Sequence, residues 1–461
     1  MSLTLPITSP QLVVHNDPHI ATRTRVMPSP LKNLYPGKLP LPQLDVSSYD
    51  PQTIHYHEIQ EDSDLPNLND WVELFRKSIP TYQKLAAKDP SAKDRQAAEQ
   101  AAERFAKHYD DLMCQLAKDP LANLPGFGSE PLSIFRIVAL REACYKGEGF
   151  WDPFKPVKDE ENSKALKLLP GVLKDLDDIE DRGQRLELAL RGVFAGNVFD
   201  LGAQGTADMF ENGEGGFEKT RTELVERPWA IDNLDQVLQR WQQKPHHKAM
   251  LFVDNAGTDV VLGMIPLARE LIKNGTFVVL AANEVPALND ITAAELKVLL
   301  KDCGKIDKLL GRAVDEQVIT VVSSGSALPI IDLTKLSPEC VAAAEDVDLV
   351  VVEGMGRAIE TNLYASFSCD SLKLAMVKHP EVAQVLKCRM YDCVCKFDRG
   401  KGNQSIGWGD ITGDASWINK SARQNQLRFK GKPSPWTQVI GRANWIPGNG
   451  GINLCVSDGD D

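Results

Sequence analysis

The chain has 461 residues, 43% hydrophobic and 25% charged, with a formal net charge of −12 and a pI of about 5.3. That length can bury a large core and accommodate more than one structural unit, and the acidic balance excludes recruitment to nucleic acid or to an anionic membrane by bulk positive charge. Nine cysteines lack paired metal-finger spacing, and the one close group, Cys388, Cys393 and Cys395, has no matching half. They read as reduced thiols of a cytoplasmic protein.

No apolar run approaches the roughly 20 residues needed to span a bilayer. The first 30 residues have no secretory apolar segment; their Arg23, Arg25, Ser and Thr content permits an organelle transit peptide. Met1 to about Pro66 is rich in Pro, Ser, Thr and His, and is expected to be largely extended or disordered. From there to about residue 195 the Ala- and Leu-rich composition predicts a helical domain. Its helices fall within 71–89 and 91–119, joined at Asp89-Pro90, then at Ser133–Tyr145, Ser163–Lys174 and Asp178–Phe194.

After the last of these comes Gly196-Asn197-Val198-Phe199-Asp200-Leu201-Gly202, where Asn197 and Asp200 sit between glycines that allow close approach of a ligand. A helix C-cap followed by an Asx turn would leave the same pattern. A helix at Asp232–Gln242 leads to the turn KPHHK, in which His246 and His247 read as exposed turn residues rather than ligands.

The stretch from Ala249 to Thr292 organises the rest. Two apolar runs, Met250–Val253 and Thr276–Ala281, flank a segment that places Val261, Met264, Ile265, Ala268, Leu271 and Ile272 on one helical face, with Gly275 as its stop. Pro266 implies a late start or a kink. A strand-helix-strand unit of this length makes the strands parallel, so the polar tips Asp254-Asn255 and Asn289-Asp290 face one crevice beyond the strand ends. Carboxylate and amide oxygens there suit a hard divalent cation, although each residue alone would serve as a helix cap.

Ala293–Leu310 predicts a helix and Gln317–Val322 a strand, which ends in Ser323-Ser324-Gly325-Ser326, a loop able to offer N–H and hydroxyl groups to an oxyanion or simply to turn. Pro338–Glu345 reads as helix and Asp348–Val352 as a buried strand. The strand runs into Glu353-Gly354-Met355-Gly356-Arg357, where Glu353 could act as a base or supporting partner and Arg357 could grip a phosphate or carboxylate; a surface salt bridge would account for the pair as simply. Ser371–Val377 and Gln384–Cys395 predict a final strand-loop-strand pair with Lys378 between them as a phosphate contact or a solvated lysine. Little regular structure is expected after Phe397.

DNAGTD at 254–259, ANEVPALNDIT at 282–292, GNVFDLGA at 196–203 and EGMGR at 353–357 together resemble the metal-dependent damage-control phosphatases, once called domain of unknown function 89. RPWAID at 227–232 and SLKLAMVK at 371–378 also fit, and the likeness runs from about residue 60 to about 397. EGMGR is similar to the mark of the subfamily that includes the C-terminal phosphatase domain of pantothenate kinase 4 and stand-alone plant proteins. No kinase glycine loop is evident in residues 1–60, so a stand-alone phosphatase is expected.

The resemblance implies an α/β fold, a Rossmann-like and mostly parallel sheet at 196–397 behind the helical domain at 67–195, with tails at 1–66 and 398–461. It implies a metal held by Asp254, Asn255 and Asp290, of which Mn²⁺, Co²⁺, Ni²⁺ and Mg²⁺ are the plausible identities. The implied reaction is hydrolysis of 4′-phosphopantetheine and its oxidised or damaged forms, with sugar phosphates as an alternative; the residues themselves make Asn197, Asp200, Glu353, Arg357 and Lys378 the expected substrate contacts. A carboxylate at a strand end suits water attack and a phosphoaspartate equally. The rival readings are an S-adenosylmethionine-dependent methyltransferase, against which no Gly-x-Gly loop follows the first strand of the unit, and a non-catalytic scaffold. The expected partner is a small phosphate ester, without nucleic acid or membrane, and a homo-oligomer is compatible with the sequence.

Overall fold

A computed structural model describes residues 39–53, 66–89, 94–124, 127–130, 132–198 and 217–400. Seven strands among them form one sheet: β1 (Ile231–Asp232), β2 (Lys248–Phe252), β3 (Phe277–Ala282), β4 (Ile319–Ser323), β5 (Leu349–Glu353), β6 (Asp370–Met376) and β7 (Cys393–Asp398). Their order is β1-β7-β6-β5-β2-β3-β4, and every pairing is parallel except β6 with β7. From β2 the chain builds outward through β3 to β4, then crosses to β5 and builds the other way. The reversal leaves a crevice beyond the C-terminal ends of the adjacent strands β2 and β5, the usual ligand position in an open α/β sheet. The α/β, mostly parallel architecture expected from the sequence is what the chain adopts.

Both faces of the sheet are covered, which is why its strands read as near-continuous apolar runs. Ala249 and Leu251 of β2, with Leu349 and Val351 of β5, face one core. Met250, Phe252, Val350 and Val352 face the other. The first core is closed by the helices Lys155–Asp177, Arg182–Val198 and Leu234–Gln243, and by those at Ile265–Lys273 and Ala293–Ile306. Residues 39–53 dock against the second, with Leu41 and Leu44 buried and Leu44 bridged to Phe367. This part of the N-terminal segment is packed through turns and a short 3-10 helix at Val46–Ser48.

A separate apolar cluster joins the helices Leu68–Lys77, Ile79–Ala86, Arg95–Lys118 and Ile134–Gly147 to Ala327, Leu328 and Ile330 of the loop after β4. The helical layer is thereby seated at the strand-end side of the sheet. Buried Lys158 bonds Asp152 and Glu295 at 2.9 and 3.0 Å, and Glu295 is itself half of the capping box that starts the helix Ala293–Ile306.

Several local expectations need correction. Gly196 and Asn197 lie inside the helix Arg182–Val198 rather than after it. A Cβ on Gly196 would stand 2.9 Å from the backbone of Thr258 and Asp259, so glycine here serves helix contact instead of ending the helix. Residues 293–310 hold two helices, because Asp307 ends one and caps the next, Lys308–Asp315. Of the segment 384–395 that reads as strand, the end alone is one, opening β7, whereas residues 384–386 close the helix Pro380–Leu386, which has proline in its first turn. Pro266 opens the α-helix Ile265–Lys273 after a π-helical turn at Asp259–Met264, the late start that proline implied. His246 is buried rather than exposed: its Nε2 lies 3.0 Å from Asp370 and its ring meets Trp241 edge-on.

Candidate active site

Past β2 the chain turns outward through Asp254 and Asn255. The Ile291 N–H donates to the Asp254 carbonyl at 3.1 Å and the Ala256 N–H to that of Asn289 at 3.0 Å, while Asn255 and Asp290 form a bridge pair. The two polar tips therefore meet as one surface. Asn162 fixes the next turn, accepting the Gly257 N–H at 2.7 Å; Gly257 has φ +76° and leaves no room for a Cβ against Glu161. The π-helical turn that follows begins at Asp259 and directs that side chain back towards Asn255.

Asp259 Oδ2 accepts from the Asn255 amide side chain at 2.9 Å, the Asn255 N–H at 3.3 Å and Asn197 at 3.1 Å, whereas its buried Oδ1 has no partner. Glu353, the last residue of β5, accepts from the Asp254 N–H at 3.0 Å and from Asn197 at 2.9 Å. Asp254, Asp259 and Glu353 each offer an oxygen within 4.8 Å of the others, and all three are buried. Gly354 makes the approach of β5 feasible: its φ of +102° is one that residues with a side chain rarely adopt, and a Cβ would run into the Asp254 carboxylate.

Burial and the facing Asp259 push the Glu353 carboxyl well above the usual carboxylate range. Burial likewise raises Asp259, opposed by Lys378 and by the amides of Asn197 and Asn255. Crowded, desolvated carboxylates of this kind are relieved by a proton or by a cation. The donor set is oxygen only, and Asp259 carries an orphaned acceptor, so the residues fit a hard divalent cation. Because Asn255 donates its amide N–H to Asp259 and Asp254, its carbonyl oxygen is left for another partner.

Arg357 closes the other side of Asp254. Its guanidinium forms an ion pair with Asp254 and another with Asp290 at 2.7 Å, and it donates to Asn283 at 3.1 Å. Asn283 in turn donates to Asp290 at 2.9 Å. Burial pushes the guanidinium down, to about 9, which leaves it charged at neutral pH; the two carboxylates act in the opposite direction.

Above these groups opens a cleft of about 100 Å³. Asp254, Asp290 and Glu360 are its acidic groups, with the amides of Asn255 and Asn289 beside them, and Lys378 and His379 stand along it from the end of β6. The helical layer and the loop after β4 supply apolar wall, including Phe75, Val138 and Ile330. Lys378 is buried rather than solvated, its Nζ donating to the Asn197 carbonyl at 2.9 Å.

Of the residues singled out in the sequence, Asp254, Asn255, Asp290 and Lys378 line this cleft. Asn197 and Glu353 lie beneath it, bonded to each other. Arg357 is buried among carboxylates instead of standing at a surface with Glu353, and the EGMGR segment is a π-helical turn over Met355–Thr361 rather than a loop. Asp200 lies outside the described residues. The loop Ser323–Ser326 spends hydroxyls on itself and its neighbours, Ser326 Oγ bonding the carbonyls of Leu328 and Ile330. Sequence reasoning missed Asp259 and Asn283. Asp259 alone had a signal, standing one helical turn beyond Asn255 within DNAGTD.

Residues 73–394 match the model of the damage-control phosphatase ARMT1-like domain. A damage-control phosphatase of Arabidopsis thaliana is 45% identical over 366 residues, covering 78% of this chain and 97% of the relative. The 4′-phosphopantetheine phosphatase of Mus musculus is 33% identical and pantothenate kinase 2 of Arabidopsis thaliana 36% identical, each over 77% of this chain. The alignments take in 48% and 41% of those two longer proteins.

Proposed function

Because the chain belongs to the ARMT1-like damage-control phosphatase family, we propose that it is a metal-dependent phosphomonoester hydrolase acting on 4′-phosphopantetheine and its oxidised or damaged forms. The observation that carries the reading is the cluster of buried carboxylates at the β2–β5 reversal, opening into a cleft with lysine and apolar walls. The similarity to the mouse 4′-phosphopantetheine phosphatase supports the substrate.

Asp254, Asn255 and Asp290 present their oxygens at the cleft and would hold the cation, with the charges of Asp259 and Glu353 beneath. A divalent cation there would neutralise phosphate oxygens and favour attack at phosphorus. Glu353 and Asp259 act as positioning residues: the first receives the Asp254 N–H and the second turns the Asn255 amide. Arg357 fixes Asp254 and Asp290 relative to one another and offsets their repulsion. Lys378 supplies positive charge to the phosphate from the β6 side. The apolar wall contributed by Phe75, Ile134, Val138 and Ile330 accommodates an aliphatic chain and keeps water from the reacting group.

The test is phosphate release from 4′-phosphopantetheine beside a panel of sugar phosphates, with added Mn²⁺, Co²⁺ or Mg²⁺ and with EDTA. The expected result is metal-dependent release with the highest kcat/KM on 4′-phosphopantetheine. Preference for a sugar phosphate would overturn the substrate, and release undiminished by EDTA would overturn the metal dependence.

A further inference from the structure

The helix Ile134–Gly147 turns Ile134, Val138 and Arg141 towards the cleft at one-turn spacing. Arg141 is the one charged side chain that the described helical layer adds to the lining, and it is 2% exposed. Its guanidinium is poorly satisfied for so buried a group. Nε donates to Glu142 at 3.2 Å, Nη1 reaches the Tyr82 hydroxyl at 3.4 Å, and Nη2 has no hydrogen-bond partner. Glu142 is also shared with Lys146 at 3.4 Å, so one carboxylate serves two cations.

Arg136, two positions before Val138 on the same helix, shows what a structural arginine does here. Its terminal nitrogens donate to the carbonyls of Pro120, Ala122, Gly128 and Glu130 and tie down the preceding turn. Arg141 has no such task. Beyond the Glu142 ion pair, the buried Nη2 is a terminal donor left without a partner, and the Tyr82 ring, 5.1 Å from the guanidinium carbon, holds the group in place.

We propose that Arg141 is a specificity-determining residue of the cleft, donating through its terminal nitrogens to an acceptor oxygen on the substrate's organic chain, remote from the phosphate. The assignment rests on the phosphomonoester reading of the cleft. It narrows the substrate class to phosphate monoesters whose organic chain carries an acceptor oxygen, such as a carbonyl, that reaches the guanidinium once the phosphate lies at Asp254 and Lys378. A site with an obligatory polar partner discriminates strongly against analogues that lack it.

The experiment compares the wild type with Arg141→Met, which keeps the length and loses the donors, and with Arg141→Lys, which keeps charge should the methionine variant fold poorly. Two readouts are taken: kcat/KM on 4′-phosphopantetheine and on phenyl phosphate, and calorimetric binding of pantetheine, which has the chain but no phosphate. The expected loss is at least tenfold larger for 4′-phosphopantetheine than for phenyl phosphate and lies in KM, and pantetheine binding weakens by at least tenfold. Equal losses on both esters, or pantetheine bound equally well by wild type and variants or not at all, would overturn the assignment. A wild type that releases no phosphate would sink the phosphatase reading instead, and the pantetheine arm would still judge Arg141.

Discussion

At the scale of single residues, the site depends on groups whose removal leaves a neighbour stranded. Gly354 sits at φ +102° against the Asp254 carboxylate. Gly354→Ala is expected to cost about 1–3 kcal/mol in backbone strain alone and to displace Asp254, so that thermal melting falls and phosphate release is lost together. Arg357→Ala removes the cation bridging Asp254 and Asp290; an uncompensated buried pair of this kind is expected to lower stability by about 3–5 kcal/mol, read by urea unfolding. A variant as stable as the wild type would mean that the carboxylates have another counter-charge. The sequence made Asp254 and Asn255 legible as cleft residues because polar residues directly after an apolar run mark a strand end, and Asp290 because it lies in the polar loop that follows β3. Asp259 was not, since an acidic residue at a helix start is equally a favourable helix-dipole contact. Arg357 was legible as a functional cation, but not its partners, which come from two other strand tips.

At the scale of elements, the helix Arg182–Val198 and the π-helical turn Asp259–Met264 approach so closely that glycine is required on both. A Cβ on Gly263 would meet Val193 at 3.0 Å, and one on Gly196 would meet Asp259 at 2.9 Å. Gly196→Val is expected to separate them, moving Asn197 away from both Asp259 and Glu353. The outcome is a drop in kcat of tenfold or more with little change in far-UV circular dichroism, and a normal kcat would show that Asn197 does not depend on that packing. This contact was hidden in the sequence because glycine after a helical pattern ordinarily signals its end. Strands β2 to β6 were readable from their double-sided apolar character. His246 and the helix Pro380–Leu386 were not, because burial of a histidine on Asp370 and the choice between helix and strand in a short apolar run are settled by tertiary partners.

At the scale of the whole molecule, the reversal of strand order between β2 and β5 collects carboxylates at one point, and the helical layer roofs them with apolar wall and Arg141. Far from that point, Asp370 starts β6 and links it to the helix Leu234–Gln243. Burial pushes its carboxyl up, but His246, the Gly400 N–H and Arg240 outweigh burial and hold it down at about 2. A depressed carboxylate stabilises the fold fully above its ordinary value of 3.8, and that contribution is lost as pH falls through about 2. The stability difference between wild type and Asp370→Asn should therefore be larger at about pH 5 than at about pH 2, as judged by urea midpoints; a constant difference would remove Asp370 from the acid response.

The measurement that bears most directly on the central claim is phosphate release from 4′-phosphopantetheine during a Mn²⁺ titration, run in parallel on wild type, Asp254→Ala and Asp290→Ala, each checked by circular dichroism. The account expects saturable, EDTA-reversible activity in the wild type and its loss in both folded variants. Full activity in either variant, or activity indifferent to the metal, would contradict it.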